Sequence, residues 1–361
     1  MKLLFYISSI QGGGAEKVMA FLVNRLSANG HEVYLATKTF KGFDYGVNDE
    51  VKLLQLYPCN YNFYPCFLRI PWLYLNIRKI AKSINPDVII SFIDLFNARV
   101  LLATRGLRIP VIVSERTSYE RKVSLLRNFC RLYIDRLADK VVVLSKSDYL
   151  YLENKINDRI VIPNPLTIPV YSGNMKRSKT VLAVGRLDAW YVKGFDILID
   201  IWEKIAANYP EWSLEIVGRG RMDSISFLQN LINKKNLAES IHLVGYSSSV
   251  DTIMQKSSVF ILPSRNEGFP NVLLEAMSQG CACIAFDCKT GPSEMITNGV
   301  NGFLIADGQI NQMIEALCIL LDNLHLRKRF SVEAKKSVRR FSPENIIRQW
   351  ESLFENTLYK M

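Results

Sequence analysis

The chain has 361 residues, 49% apolar and 22% charged, which is enough apolar material for two cores and long for a single domain. Its seven cysteines follow no regular spacing and its three histidines are scattered, which argues against a disulfide framework or a zinc site and for a reducing compartment. The net charge of +11 is uneven, with +9 on residues 1–165 and +2 on residues 166–361, so the first half is expected to meet an anionic partner, nucleic acid or anionic lipid.

The apolar start, residues 1–8, is too short for a signal peptide. No apolar run reaches the roughly 18 residues of a transmembrane span. Runs rich in Val, Ile and Leu predict strands at 2–9, 32–37, 88–92, 111–114 and 140–144, and again at 180–184, 213–217, 241–243, 259–262 and 281–286. Helical patterns separate them, so parallel sheets with helices on both faces are expected. Pro163-Asn-Pro-Leu-Thr-Ile-Pro169 is a proline-dense break that predicts a linker. It divides a domain of residues 1–166 from one of residues 167–341. Ser342 followed by Pro343 starts a last helix, with Ile347, Trp350, Leu353 and Phe354 on one face.

The first strand runs into Gly12-Gly-Gly-Ala-Glu16. Three glycines let a backbone approach a ligand closely. A dinucleotide fingerprint fails on detail, because Lys17 stands where a further glycine is needed and Lys38 where a ribose-binding acid is expected. A plain strand–helix turn is the alternative. Residues 64–79 mix aromatic, aliphatic and basic side chains, as interfacial segments do, and Arg121, Lys122, Arg127 and Arg131 add a basic face.

The second half opens with Val184-Gly-Arg-Leu-Asp188, followed by Lys193-Gly194. Arg186 stands at the carboxyl end of the first strand of a new sheet, where open α/β sheets bind ligands. With Lys193 it can neutralise a diphosphate without a metal, and the chain holds no Asp-x-Asp. Gly218 ends a further strand and suits a nucleotide edge. Thr290-Gly-Pro-Ser-Glu294 is another strand-end turn, either a simple cap by Ser293 or a ligand contact. Cys281-Ala-Cys283 sits in an apolar strand pattern and reads as core.

The stretch from Ser264 to Gly280 places Glu267 in a loop after a strand and Glu275 inside the next helix. Pro270 suits the first turn of that helix and Gly280 its end. A helix N-terminus there offers N–H groups and partial positive charge to an anion such as a diphosphate. The loop glutamate can then reach a sugar, and the helix glutamate a ribose.

Together these residues resemble the retaining glycosyltransferases of family 4, over almost the whole chain. The resemblance rests on Gly12-Gly-Gly-Ala-Glu16, Ala138-Asp-Lys-Val-Val-Val-Leu-Ser145, Pro163-Asn-Pro165, Gly185-Arg-Leu-Asp188 with Lys193-Gly194, and Glu267 through Glu275. The last two are specific together. It implies the α/β fold called GT-B: two facing Rossmann-like domains with parallel sheets and an interdomain cleft. The first domain would bind acceptor, the second nucleotide-sugar, and the last helix (342–361) would cross back to the first. The resemblance further implies that Glu267 contacts the donor hexose and supports catalysis, that Glu275 holds the ribose, and that Arg186 and Lys193 clamp the diphosphate. Gly13, Gly14, Gly218, Gly268, Phe269, Asn271 and Val272 would complete the donor side.

Many family members carry a histidine after the strand at 111–114. Here the sequence is Ser114-Glu-Arg-Thr-Ser118, similar to a subgroup that builds bacterial O-antigens, capsules and lipid-linked glycans. Glu115 or Arg116, with Glu16, are the acceptor-side candidates. Arg219 is a second departure, since an acidic residue is commoner between those glycines. The resemblance thus implies transfer of a hexose or N-acetylhexosamine, from a UDP-sugar, to a polyprenyl-diphosphate-linked glycan. The enzyme would be cytoplasmic, peripheral on the anionic inner face of the membrane, and would need no metal, cofactor or nucleic acid. The motif leaves a front-face route and a double displacement both open. A GT-B sugar-nucleotide epimerase and a non-catalytic sugar-nucleotide-binding protein are the rival readings.

Overall fold

The computed structural model describes residues 1–10, 13–38, 45–57 and 65–359. Gly12 of the glycine loop, Tyr64 at the start of the interfacial segment and the last two residues of the terminal helix segment lie outside them. The chain forms two compact units, Met1–Pro165 with Pro343–Met361, and Leu166–Ser342.

The first unit is built on seven parallel strands: β1 (Lys2–Tyr6), β2 (Glu32–Thr37), β3 (Lys52–Gln55), β4 (Val88–Phe92), β5 (Val111–Ser114), β6 (Lys140–Val143) and β7 (Arg159–Val161). Their spatial order is β3-β2-β1-β4-β5-β6-β7, so the chain reverses direction across the sheet between β1 and β4. Alternation along β1 shows why both faces need helices. Leu3 and Phe5 join a core with Val18, Leu22, Trp350 and Phe354, whereas Leu4 and Tyr6 join one with Leu73, Ile77 and Val100. The helix Pro343–Leu358 belongs to this unit because Ile346, Ile347, Trp350, Leu353 and Phe354 are buried in the first of those cores. Burying the Trp350 and Phe354 rings contributes about 2–3 kcal/mol each by area.

The second unit has six parallel strands: β8 (Ser178–Val184), β9 (Ser213–Val217), β10 (Ile241–Gly245), β11 (Ser257–Leu262), β12 (Ala282–Asp287) and β13 (Phe303–Ala306). Their order is β10-β9-β8-β11-β12-β13, and the reversal falls between β8 and β11. Cys281 and Cys283 are fully buried there. Strands β3, β7 and β13 are not predicted from the sequence; each lies at a sheet edge, is three or four residues long and is only partly buried, and only β13 (Phe303-Leu-Ile-Ala306) is apolar throughout. Among the described residues no helix is long and apolar enough to cross a membrane.

Candidate functional site

The reversal between β8 and β11 is where an open α/β sheet leaves room for a ligand at its carboxyl edge. β8 leads into Gly185 and Arg186, and a short helix, Trp190–Lys193, follows. Gly194 then adopts φ +69°, and a Cβ on it would stand 2.0 Å from the Pro263 carbonyl oxygen. Only glycine permits both the left-handed backbone and that approach. The approach brings Lys193 against the loop after β11: Lys193 Nζ donates to Glu267 Oε1 at 2.7 Å. Ser264 Oγ donates to the same oxygen at 2.7 Å. Glu267 is buried, and its Oε2 has no hydrogen-bond partner among the described residues. Arg265 fixes the loop from outside through a two-pronged pair with Asp196, both contacts at 2.7 Å.

The turn after β12 braces the same loop. Thr290 Oγ1 donates to the Glu267 carbonyl at 2.8 Å, and Thr290 and Gly291 have φ of +65° and +103°. A Cβ on Gly291 would meet Pro270 Cδ at 2.5 Å. Pro270 itself is the cap just before the helix Asn271–Ser278, with Gly280 at φ +79° beyond its end. Asn271 and Val272 open that helix half-buried, after half-buried Gly268 and buried Phe269, whose ring meets Phe341 edge-on. Glu275 is buried on the helix and accepts from Thr167 Oγ1 at 3.4 Å.

Glycines also lock the neighbouring strand ends. A Cβ on Gly218 would lie 1.8 Å from the Gly185 carbonyl oxygen. The Leu187 amide donates to the Arg219 carbonyl at 2.8 Å, and the Gly218 amide to Gly245 at 2.9 Å. Arg186 is exposed at this edge, and its guanidinium has no ion pair among the described residues. Arg219 lies 4.6 Å from the exposed Tyr246 ring. The structure therefore brings Lys193, Ser264, Glu267 and Thr290 into direct contact. It places Arg186, Gly218 and Glu275 on the same sheet edge or its following helix.

In the first unit Gly13 caps the helix Gly14–Ala28. The Glu16 carboxylate folds back over it, so that a Cβ on Gly13 would stand 2.1 Å from Glu16 Oε2. The acceptor-side candidates Glu115 and Arg116 are both buried. Glu115 is only 1% exposed. Its Oε1 accepts from the Arg116 amide at 2.8 Å and from the Thr117 amide and hydroxyl, each at 3.0 Å, which makes it the cap of its own turn. Arg116 has Nε and Nη2 fully buried, and Nη1 donates to Asn164 Oδ1 at 2.7 Å. Both side chains are thus engaged by residues of their own unit.

Arg131 needs correction, since it is 1% exposed rather than part of a basic face. Its guanidinium lies 4.4 Å from the Tyr119 ring centre, and its Nε lies 3.5 Å from Glu115 Oε2. The Tyr119 hydroxyl donates to buried Asp135 at 2.9 Å, and the Tyr119 amide to Asp148 at 2.8 Å. Burial pushes the carboxyls of Glu115, Asp135 and Asp148 above their usual range, with the Glu115 charge adding to the shift at Asp135. No local motif announces this cluster, because its members come from the turn after β5, a π-helical turn at Cys130–Ile134 and the start of the helix Lys146–Tyr151.

A sheet reversal carrying a lysine–carboxylate pair, a helix N-terminus and a second buried glutamate is an α/β arrangement suited to an anionic ligand. The sequence models are more specific. Residues 12–168 match the model described as Glycosyltransferase Family 4, and residues 178–323 that described as Glycosyl transferases group 1. The chain is 31% identical to the amylovoran biosynthesis glycosyltransferase AmsD of Erwinia amylovora, over 98% of this chain and 99% of that one. It belongs to this family of glycosyltransferases.

A second relative, at 26% identity over 98% of each chain, is a Campylobacter jejuni N-acetyl-D-galactosaminyltransferase named for a GalNAc-GalNAc-diNAcBac-PP-undecaprenol substrate. Among solved structures, Anabaena HepE in complex with UDP superposes with a TM-score of 0.81 at 18% identity, over 99% of this chain and 100% of that one. The fold is GT-B, with two Rossmann-like domains.

Proposed function

We propose that this glycosyltransferase moves a hexose or N-acetylhexosamine from a UDP-sugar to a polyprenyl-diphosphate-linked glycan, with retention of anomeric configuration, in assembly of a bacterial surface polysaccharide such as an O-antigen or lipopolysaccharide. The observation that carries this reading is the Lys193–Glu267 contact at the β8/β11 reversal, with one carboxylate oxygen held and the other open. Glu267 Oε2 accepts a donor-sugar hydroxyl. Arg186, Lys193 and the N-terminus of Asn271–Ser278 meet the charge that develops on the departing diphosphate. These groups take the place of a metal. Glu275 accepts from the ribose. The acceptor oxygen forms the new bond to the anomeric carbon as the bond to the diphosphate breaks, and its proton leaves with the diphosphate.

UDP in the HepE structure and the undecaprenol-linked substrate of the Campylobacter relative support the choice of donor and acceptor. Exposed Phe67, Ile70 and Leu75, with Leu125, Leu126, Phe129 and Tyr133, support a peripheral seat on an anionic membrane on the cytoplasmic side. Exposed Arg121, Lys122 and Arg127 stand beside them.

A thermal-shift panel of UDP-, GDP- and ADP-sugars tests the donor side. Selective stabilisation by one UDP-sugar, growing with concentration and lost in Glu275→Ala, is the expected result. Equal or absent shifts across the panel would sink the donor assignment.

A further inference from the structure

The chain crosses between its two units twice, leaving the first at Pro165 and returning at Pro343. Both crossings meet one side chain of the first unit. Arg116 Nη1 donates to Asn164 Oδ1 at 2.7 Å, on the outgoing segment. The same guanidinium lies 3.8 Å from the Phe92 ring centre and 5.9 Å from that of Trp350, on the returning helix. Asn164, Trp350 and Arg116 are all more than nine-tenths buried.

We infer that Arg116 is a positioning residue that fastens both crossings to the first unit. Asn164 stands between two prolines, so its flanking residues bring no backbone N–H to hold the segment. The side-chain bond from Arg116 supplies a fastening that Pro163 and Pro165 cannot. Nε and Nη2 of Arg116 have no hydrogen-bond partner among the described residues; their charge is met by the faces of Phe92 and Trp350. The aim of the side chain is fixed in turn by Glu115, which accepts from the Arg116 and Thr117 amides.

The second unit has its own fastening, since the Leu166 amide donates to the Phe341 carbonyl at 2.8 Å. Between the two fastenings only Pro165 remains on the way out. Ser342 and the first turns of the helix Pro343–Leu358 remain on the way back. Proline locks φ, so the outgoing crossing has little torsional freedom.

Hydrogen exchange of the full chain, read by peptide, tests this without any substrate. In Arg116→Met, amides of residues 160–166 and 341–350 are expected to exchange on the order of tenfold faster, as for loss of about one buried hydrogen bond, while β4 and β5 keep wild-type protection. Asn164→Ala removes the outgoing contact and leaves the guanidinium stacked on Phe92 and Trp350, so it should accelerate residues 160–166 and leave 341–350 at the wild-type rate. The pair Arg116→Lys with Asn164→Asp should restore protection. Crossings that exchange at the wild-type rate in Arg116→Met would overturn the inference. So would equal acceleration in β4 and β5, which would mark Arg116 as a general core residue. If Arg116→Met does not fold, Asn164→Ala decides for the outgoing crossing, and wild-type exchange of residues 160–166 in it would overturn the inference.

Discussion

Lys193 and Ser264 converge on one oxygen of Glu267, each at 2.7 Å. The pair of donors holds the carboxylate in one rotamer and keeps Oε1 from any ligand. Deleting the lysine leaves a buried carboxylate without its cation, and breaking a buried pair costs roughly 3–5 kcal/mol. Lys193→Ala and Glu267→Ala are each expected to lower turnover by about 10²-fold or more, as for loss of a preorganised charge. Ser264→Ala keeps the ion pair and removes one hydrogen bond to a charged group, a loss of ~10-fold. Nucleoside diphosphate release measures all three. Unchanged release in both charge deletions would separate this contact from catalysis.

Gly194 and Gly218 carry the site through close approach. A Cβ would stand 2.0 Å from the Pro263 oxygen at one and 1.8 Å from the Gly185 oxygen at the other. Both obstacles are backbone, which cannot rotate away. Gly194→Ala and Gly218→Ala are therefore expected to destabilise the second unit by ~2 kcal/mol or more and to abolish the donor-dependent thermal shift. Gly30→Ala is the control: it also has positive φ, but nothing lies within 4 Å of its added Cβ, so donor binding should survive. Wild-type melting and donor response in Gly194→Ala would show that the Lys193 loop does not depend on that approach.

The part of the site legible in the sequence is the part built by contiguous residues. A loop, a helix start and a helix end lie within Ser264–Gly280 as adjacent words, and Lys193-Gly194 names both the cation and the glycine that delivers it. The strands with long apolar runs were equally plain, because burial on both faces demands such runs. Edge strands β3 and β7 were not, since Lys52-Leu-Leu-Gln55 and Arg159-Ile-Val161 are half-exposed. The burial of Arg116 and Arg131 was not legible for a different reason. Arg127 and Arg131 are four apart and look alike in sequence, yet Arg127 is exposed and Arg131 is enclosed by Tyr119 and Glu115. The partner of Arg116 is 48 residues away. Such pairings come from tertiary packing and leave no periodic or local trace.

The cluster around Tyr119 makes stability depend on pH in a definite direction. Burial raises the pKa of Asp135 and of Glu115 above the ordinary carboxylate range, with Arg131 opposing and Asp94 adding to the rise. A carboxyl that binds its proton more tightly when folded contributes stability that is full below its unfolded pKa of about 4 and is lost as pH rises through the folded pKa. The melting temperature of the first unit should therefore fall from mildly acid toward neutral pH. Asp135→Asn keeps an acceptor for the Tyr119 hydroxyl and removes the titration, so its slope over that window should flatten. An identical slope in Asp135→Asn would assign the pH dependence to other groups.

Membrane seating makes a separate demand on the first unit. Leu125 is 90% exposed, and Leu126 and Phe129 are more than half exposed, on a segment whose inward residues Cys130 and Arg131 hold it to the fold. Exposed apolar side chains in that number are costly in water and favourable in a headgroup layer. Arg121 and Lys122 each add about 1 kcal/mol near an anionic surface; Arg127 adds less, because Asp94 lies 3.8 Å from its Nε. Flotation with phosphatidylglycerol vesicles should capture the wild-type protein, more at low salt than at high. Replacing Leu125, Leu126 and Phe129 by Ser should cut capture several-fold, and replacing Arg121 and Lys122 by Gln should lower it by ~10-fold or more and weaken its salt dependence. The donor-dependent thermal shift should be unaffected in both, since Arg186, Lys193, Glu267 and Glu275 lie in the other unit. Capture that persists in the serine variant would place the membrane contact elsewhere on the chain, and absence of capture of the wild type would remove the peripheral seat altogether.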